Sequence, residues 1–180
     1  MSVYLIRHCK TENNGLGLVS GQSESTIVDY TVKSAYIFES APYMYSSDSD
    51  RCRETILKFV DIYKFCKGTV KFDHRLRERG MGVFEGVDKK KLVASQPEYF
   101  PDGEYFNFLK TPPQGEPFSL FYERVSTFVE AEIMGKNQDI VICSHNQTLR
   151  LLQLILQKKE ITYDNFKSIS FRNGELNKIT

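Results

Sequence analysis

Four residues carry the strongest hint of chemistry, and they lie far apart in the chain. Arg7 and His8 stand where the apolar run "VYLI" stops, Arg51 follows "YMYSSDSD", and His145 ends "DIVICS". A guanidinium forks onto two phosphoryl oxygens. An imidazole is neutral near pH 7 and can attack phosphorus. A helix beginning after His145 would add backbone N–H donors and the positive end of its dipole. Together these residue types suit a phosphate. Expelling an alkoxide also needs a proton on the leaving oxygen. "LRERGMGVFEG" offers two carboxylates for that, Glu78 and Glu85. Four basic groups nearby would keep a bare carboxylate ionised. An acid placed there therefore needs partial burial, or the phosphate dianion itself, to hold a proton.

Each of these residues has a plainer reading when taken alone. Arg7-His8 is then a surface pair at a strand end, Arg51 a solvated helix residue beside Asp48 and Asp50, and His145 an N-cap. "RLRER" reads as a charged face with local ion pairs. The third histidine, His74 in "KFDHRLRE", is read as facing water. Lys89 to Lys91 read as a solvated face, or more weakly as a rim for a second anionic group. Cys52 and Cys143 read as small core residues.

What favours convergence is the arrangement of the elements. "SVYLIR", "APYMYSS", "TVKFD" and "QDIVICS" are short apolar runs that predict strands. "DSDRCRETILKFVDIYKF" has a helical period at Ile56, Leu57, Val60 and Tyr63, with Asp48 or Asp50 near its N-cap. "FSLFYERVSTFVEAEIM" and "HNQTLRLLQLILQK" also read as helices, and "VDKKKLVASQPEYF" holds another before the Pro-rich "KTPPQGEP". A short helix is expected in "VDYTVKSAYIFE", a loop in "KTENNGLGLVSGQSEST", and a hairpin across Asn-Gly in "FKSISFRNGELNKIT". Alternating strands and helices predict a three-layer α/β/α sandwich on a mostly parallel central sheet. In such sheets ligands bind outside the carboxyl ends of the strands, where Arg7, His8, Arg51 and His145 all fall. With no internal repeat, low-complexity stretch or linker, residues 1–180 read as a single domain.

The bulk numbers set outer limits. With 180 residues there is room for one sizeable core. Lys+Arg 24 against Asp+Glu 23 leaves a net charge of +1, which argues against a nucleic-acid or membrane partner. No apolar run approaches a bilayer span, and "MSVYLIRHCK" is unlike a signal peptide. The four cysteines, Cys9, Cys52, Cys66 and Cys143, have no framework spacing and read as free thiols of a reducing cytosol. The expectation is a cytoplasmic protein, monomer or homodimer, acting on a small phosphorylated metabolite.

In their order, these motifs resemble those of the histidine phosphatase superfamily, whose fold is phosphoglycerate-mutase-like. "LIRHCKTENN" is similar to the signature strand end, normally Arg-His-Gly followed by Thr and Asn. "YSSDSDRCRET", "RLRERGMGVFEG", "IVICSHNQTLRLL" and "SFRNGELNKI" resemble its later elements, so the likeness spans nearly the whole chain. It implies that His8 is the nucleophile, forming a phosphohistidine. Arg7, Arg51 and His145 would hold the phosphoryl oxygens. Thr11 and Asn14 match phosphate-contacting positions of the first loop, and Asn146 falls beside the second histidine. Glu78, rather than Glu85, matches the residue that protonates the leaving group and then activates water. No metal or organic cofactor is implied. Cys9 and Asn146 stand where the family usually has glycine. A side chain at Cys9 is expected to crowd the pocket or alter the backbone angle.

Rival chemistries fit less well. Cys143 and Arg150 are one residue too far apart for the phosphate loop of a cysteine phosphatase. An aspartyl-phosphate phosphatase could start from Asp48-x-Asp50, but Cys52 stands where Thr or Val is needed. A catalytically weak pseudo-enzyme acting as a binding module is a third reading. Within the family, mutases are implied to carry paired arginines after the Glu element, and residues 86 to 118 contain none. The reading is a metal-independent phosphatase of small phosphate monoesters, with sugar phosphates or a fructose bisphosphate as candidates and mutase-type transfer as the alternative.

Overall fold

In the computed structural model, which describes residues 1–65 and 67–179, a five-stranded sheet forms the middle layer. Its strands are β1 (Val3–Arg7), β4 (Tyr43–Ser46), β5 (Val70–Phe72), β6 (Ile140–Ser144) and β7 (Leu176–Lys178). The spatial order is β5-β4-β6-β1-β7. The first four strands run parallel and β7 is antiparallel to β1. The central β6, "IVICS", is buried along its whole length, as a continuous apolar run in a parallel sheet must be.

Successive residues of the strands point into different layers. Val3, Leu5, Ile140 and Ile142 face a core closed by α4 (Phe118–Phe128), α5 (Asn146–Leu156) and α6 (Tyr163–Ser168). Tyr4, Ile6, Val141 and Cys143 face the other side, covered by α2 (Asp50–Tyr63) through Cys52, Ile56, Phe59 and Val60. This is the expected three-layer arrangement with a mostly parallel sheet. A third apolar cluster, built on Met81, Phe84, Leu92 and Phe100, gathers α3 (Lys89–Ser95) and the turns around it beside the main core.

Three local expectations are corrected. The segment "VDYTVKSAYIFE" forms no helix. Its start belongs to β3 (Ile27–Asp29), which pairs with the two-residue β2 (Lys10–Thr11). Beyond it the chain is held sideways, Lys33 N–H donating to Gly174 O, while Tyr36 and Phe38 pack edge-on against Tyr4. The loop "KTENNGLGLVSGQSEST" contains β2 and a short helix, α1 (Glu12–Leu16), capped by Thr11. The Asn173-Gly174 hairpin is also absent. Phe166 and Lys167 are taken into α6, and the turn instead bridges to β1, Gly174 N–H donating to Arg7 O. At φ +70°, Gly174 supplies the left-handed turn, but between the bridges Arg7–Asn173 and Lys33–Glu175 that lead into β7 rather than within a hairpin. For α2, Ser49 is the N-cap. Asp50 opens the helix, and Asp48 pairs with Arg77 outside it.

Candidate active site

Parallel pairing brings three strand ends to one edge. Arg7 of β1 sits opposite Ser144 of β6, and Ser46 of β4 opposite Cys143. The residues that follow, His8, His145 and the first turn of α2 with Arg51, therefore meet beyond the sheet. They line one cavity of about 170 Å³ together with Arg7, Asn14, Glu78 and Asn146. All of the sequence-derived candidates except Thr11 and the rival carboxylate Glu85 are on that wall. Thr11 is fully buried, and its hydroxyl accepts from Asn14 N at 3.4 Å as the cap of α1, so it supports Asn14 from behind.

His8 is oriented by the backbone. Its Nδ1 lies 2.8 Å from Cys9 O, an atom that only accepts, so the ring proton is on Nδ1 and the Nε2 lone pair is free. Burial, then the charges of Arg7 and Arg51, holds its pKa well below the ordinary imidazole value. His145 is 1% exposed, with its ring centroid 5.2 Å from that of His8. Its Nδ1 accepts from Arg51 Nε at 3.2 Å, leaving Nε2–H to donate to Ser47 Oγ at 3.0 Å. Burial and then Arg51 hold it neutral too.

The two arginines differ in how much of each is committed. Arg51 donates to Ser23 O at 2.7 Å and Gly21 O at 2.8 Å as well as to His145, tying residues 21–23 across the cavity. Among the described residues Arg7 gives one bond, to Phe171 O at 3.1 Å, and its buried Nε has no partner. Burial opposes its charge and Glu78 offsets that.

The two carboxylates have separate tasks. Glu85 accepts from Gln22 N, Ser23 N and Met81 N, and does not line the cavity. It buckles the 20–23 loop so tightly that a Cβ on Gly21 would stand 2.1 Å from its Oε1. Glu78 is the single carboxylate lining the cavity among the described residues. It accepts from Arg79 N at 3.0 Å and from Gln147 N, Thr148 N and Thr148 Oγ1 at 3.2 Å each. The helix N-terminus that the sequence offered to a phosphate is thus occupied by Glu78, since its carboxylate reaches those N–H groups first. The backbone carrying Glu78 is clamped by Arg124, whose guanidinium donates to the carbonyls of Arg75, Arg77 and Glu78. "RLRER" is therefore no simple charged face: Arg77 pairs with Asp48 at the surface while Arg79 is fully buried on three carbonyls.

Cys9 does not crowd the pocket. Its backbone avoids the left-handed region, and its Sγ turns away to Thr31 O at 3.7 Å. Asn146 opens α5 with ordinary helical geometry and presents a side chain to the cavity, its Oδ1 buried without a donor among the described residues. Cys9, Cys52 and Cys143 are free and buried, Cys66 lying outside the described residues. His74 is exposed, as expected. Sequence reasoning missed Gln147 and the 18–21 loop on the cavity wall, as well as Arg150, which lies one turn beyond Asn146. The i, i+4 spacing of Asn146 and Arg150 on one helix face was the available signal.

A family model described as histidine phosphatase superfamily, branch 1, matches residues 3–180. The chain belongs to that superfamily. As a histidine phosphatase it is an enzyme acting on phosphoric monoesters. A metal-independent phosphoserine phosphatase of Arabidopsis thaliana is 27% identical, over 84% of this chain and 67% of that protein. The fructose-2,6-bisphosphatase TIGAR of Bos taurus is 31% identical, over 70% of this chain and 48% of its own length. The crystal structure of the alpha-ribazole phosphatase of Shigella flexneri superposes with a TM-score of 0.73 at 21% identity, over 99% of this chain and 89% of that one. That last likeness is one of fold. Among the described residues no helix of this histidine phosphatase is long and apolar enough to cross a membrane.

Proposed function

We propose that this histidine phosphatase hydrolyses small phosphate monoesters through a phosphohistidine on His8, without a metal. The observation that carries the reading is the hydrogen bond from His8 Nδ1 to Cys9 O, which leaves Nε2 unprotonated in a cavity walled by Arg7 and Arg51. In the first step the Nε2 lone pair attacks phosphorus and the bond to the leaving oxygen breaks. A protonated Glu78 gives that oxygen its proton, so an alcohol departs. In the second step Glu78, now a carboxylate, takes a proton from water as the water oxygen attacks phosphorus. The P–N bond breaks, inorganic phosphate leaves and His8 is restored. Arg7, with donors to spare, and the charge of Arg51 stabilise the phosphoryl group in flight. His145 is held neutral beside it, Asn14 and Asn146 frame it, and Thr11 acts through Asn14.

Hydrolysis is favoured over mutase-type transfer by the lack of any arginine between residues 86 and 118. A sugar phosphate or fructose bisphosphate remains our substrate candidate within the monoester class. The small cavity and the net charge of +1 favour a metabolite over nucleic acid or membrane, and we place the protein, as monomer or homodimer, in the cytoplasm, where three free thiols keep. The test is turnover of p-nitrophenyl phosphate with EDTA present, together with acid quenching to trap phosphoprotein. We expect His8→Ala to abolish both turnover and the acid-labile phosphoenzyme. Phosphoprotein accumulating in that variant would move the nucleophile elsewhere.

A further inference from the structure

The Asn-Gly pair of the C-terminal segment makes no hairpin, and its asparagine has another task. The turn that carries it is anchored by backbone bonds. Gly174 N–H donates to Arg7 O at 2.9 Å, Lys33 N–H to Gly174 O at 2.8 Å, and Leu176 N–H to Lys33 O at 2.9 Å. The side chain of Asn173 is therefore not needed to seat the turn. It reaches instead to the start of the chain. Its Nδ2 donates to His8 O at 2.9 Å and to Asn14 Oδ1 at 3.1 Å. Asn173 does not line the phosphoryl cavity, whereas Asn14 does.

These bonds decide which way the Asn14 amide faces. His8 O only accepts, so the Asn173 atom beside it is its NH2. The second hydrogen of that group points at Asn14, whose facing atom must then accept. Thr11 N–H, at 3.2 Å, donates to the same oxygen. With Oδ1 held by two donors, the NH2 of Asn14 remains, and it has no protein acceptor among the described residues. A flipped amide would set a donor against two donors and turn an oxygen towards the anion.

Resting on the phosphatase reading above, we propose that Asn173 is a positioning residue, which fixes the Asn14 amide so that its NH2 faces the cavity and donates to a phosphoryl oxygen. The same turn serves the neighbouring cation, since Phe171 O accepts from Arg7 Nη1 at 3.1 Å. The His8 backbone does not depend on Asn173, because His8 N–H is held by Ser144 O at 3.0 Å. Loss of the Asn173 side chain thus acts on Asn14.

The test is a double-mutant cycle on kcat/KM for p-nitrophenyl phosphate, with EDTA present. Asn14→Ala removes a hydrogen bond to a charged group and should lose about 10- to 150-fold. Asn173→Ala leaves the Asn14 amide free to turn and should lose at least about fivefold, as for one neutral hydrogen bond. The double variant should match Asn14→Ala to within about twofold, because the two losses are one. Asn173→Asp keeps the shape of the side chain without its donor, and should lose at least as much as Asn173→Ala. A residue that only braced the fold would give losses that multiply, and Asp in its place would be nearly silent. Multiplying losses, full activity in Asn173→Ala or Asn173→Asp, or an unaffected Asn14→Ala would each overturn the proposal. Should Asn173→Ala fail to fold, Asn173→Ser, whose hydroxyl is too short to reach Asn14, replaces it in the cycle and is read by the same rule. A wild type that turns over no monoester and forms no phosphoenzyme would instead sink the phosphatase reading itself.

Discussion

Acid should unfold this protein earlier than its carboxylates alone require, because two imidazoles share one buried pocket. His8 and His145 are 4% and 1% exposed, and burial followed by the nearby arginines depresses both pKa values well below the ordinary one. Unfolding returns each to about 6.5. The sign follows: below that pH the unfolded chain binds more protons than the native one, so stability is full above it and falls as pH drops towards the depressed native values. Each such group contributes about 1.4 kcal/mol per pH unit, so the pair gives a slope of up to ~2.7 kcal/mol per unit between about pH 6 and 5. A carboxylate such as Asp48, held low by its hydrogen bonds to Arg77, adds its own loss only further down, below its unfolded value of about 3.9. The assay is urea unfolding followed by circular dichroism at a series of pH values, in buffer free of phosphate, for the wild type and for His8→Asn/His145→Asn. The double variant is expected to be less stable at neutral pH and nearly flat from about pH 6.5 to 5. A slope in that range equal to the wild type's would refute the buried-neutral assignment of both rings.

Glu78→Gln keeps a side chain able to sit on the α5 N-terminus but cannot deliver a proton. Rates for alkyl phosphates should fall by about 10²–10⁴, and by far less for p-nitrophenyl phosphate, whose leaving group needs no proton; equal losses would place the acid elsewhere. Gly82→Ala is expected to destabilise by about 1–3 kcal/mol or more, read as a lowered denaturation midpoint. Gly82 holds φ +54°, and an added Cβ would stand 2.1 Å from Pro113 O. An unchanged midpoint would mean that this turn is looser than described.

What could be read from the chain alone depended on how local the deciding force is. β1, β4, β5 and β6 were legible because each is an apolar run whose burial is written into it, and α2, α4 and α5 because their apolar positions recur with the helical period. The 28–39 segment misled because its residues are tolerable in a helix. Its conformation is set by partners distant in sequence, Gly174 and Tyr4, that local propensity does not see. The C-terminal Asn-Gly signal was real as a turn, but the strand it feeds found β1 as partner, and burial of Phe171 took its other arm away from pairing. Short strands choose partners by packing, which no dipeptide encodes.

The site shows the same division more sharply. Arg7, His8, Arg51 and His145 could be brought together on paper because a parallel sheet sends every strand's carboxyl end to one edge, a consequence of topology alone. Choosing Glu78 over Glu85 needed more, for both sit in one loop. The structure separates them by their donors: Glu85 spends its oxygens on the 20–23 loop, and Glu78 on the first turn of α5. The reading of that helix N-terminus as a phosphate cradle failed because a carboxylate from the same protein competes for the same N–H groups, at no translational cost. Anion recognition must therefore come from side chains whose donors are unspent. By that criterion Arg7, whose buried Nε has no partner among the described residues, matters more to anion recognition than the geometry of the helix.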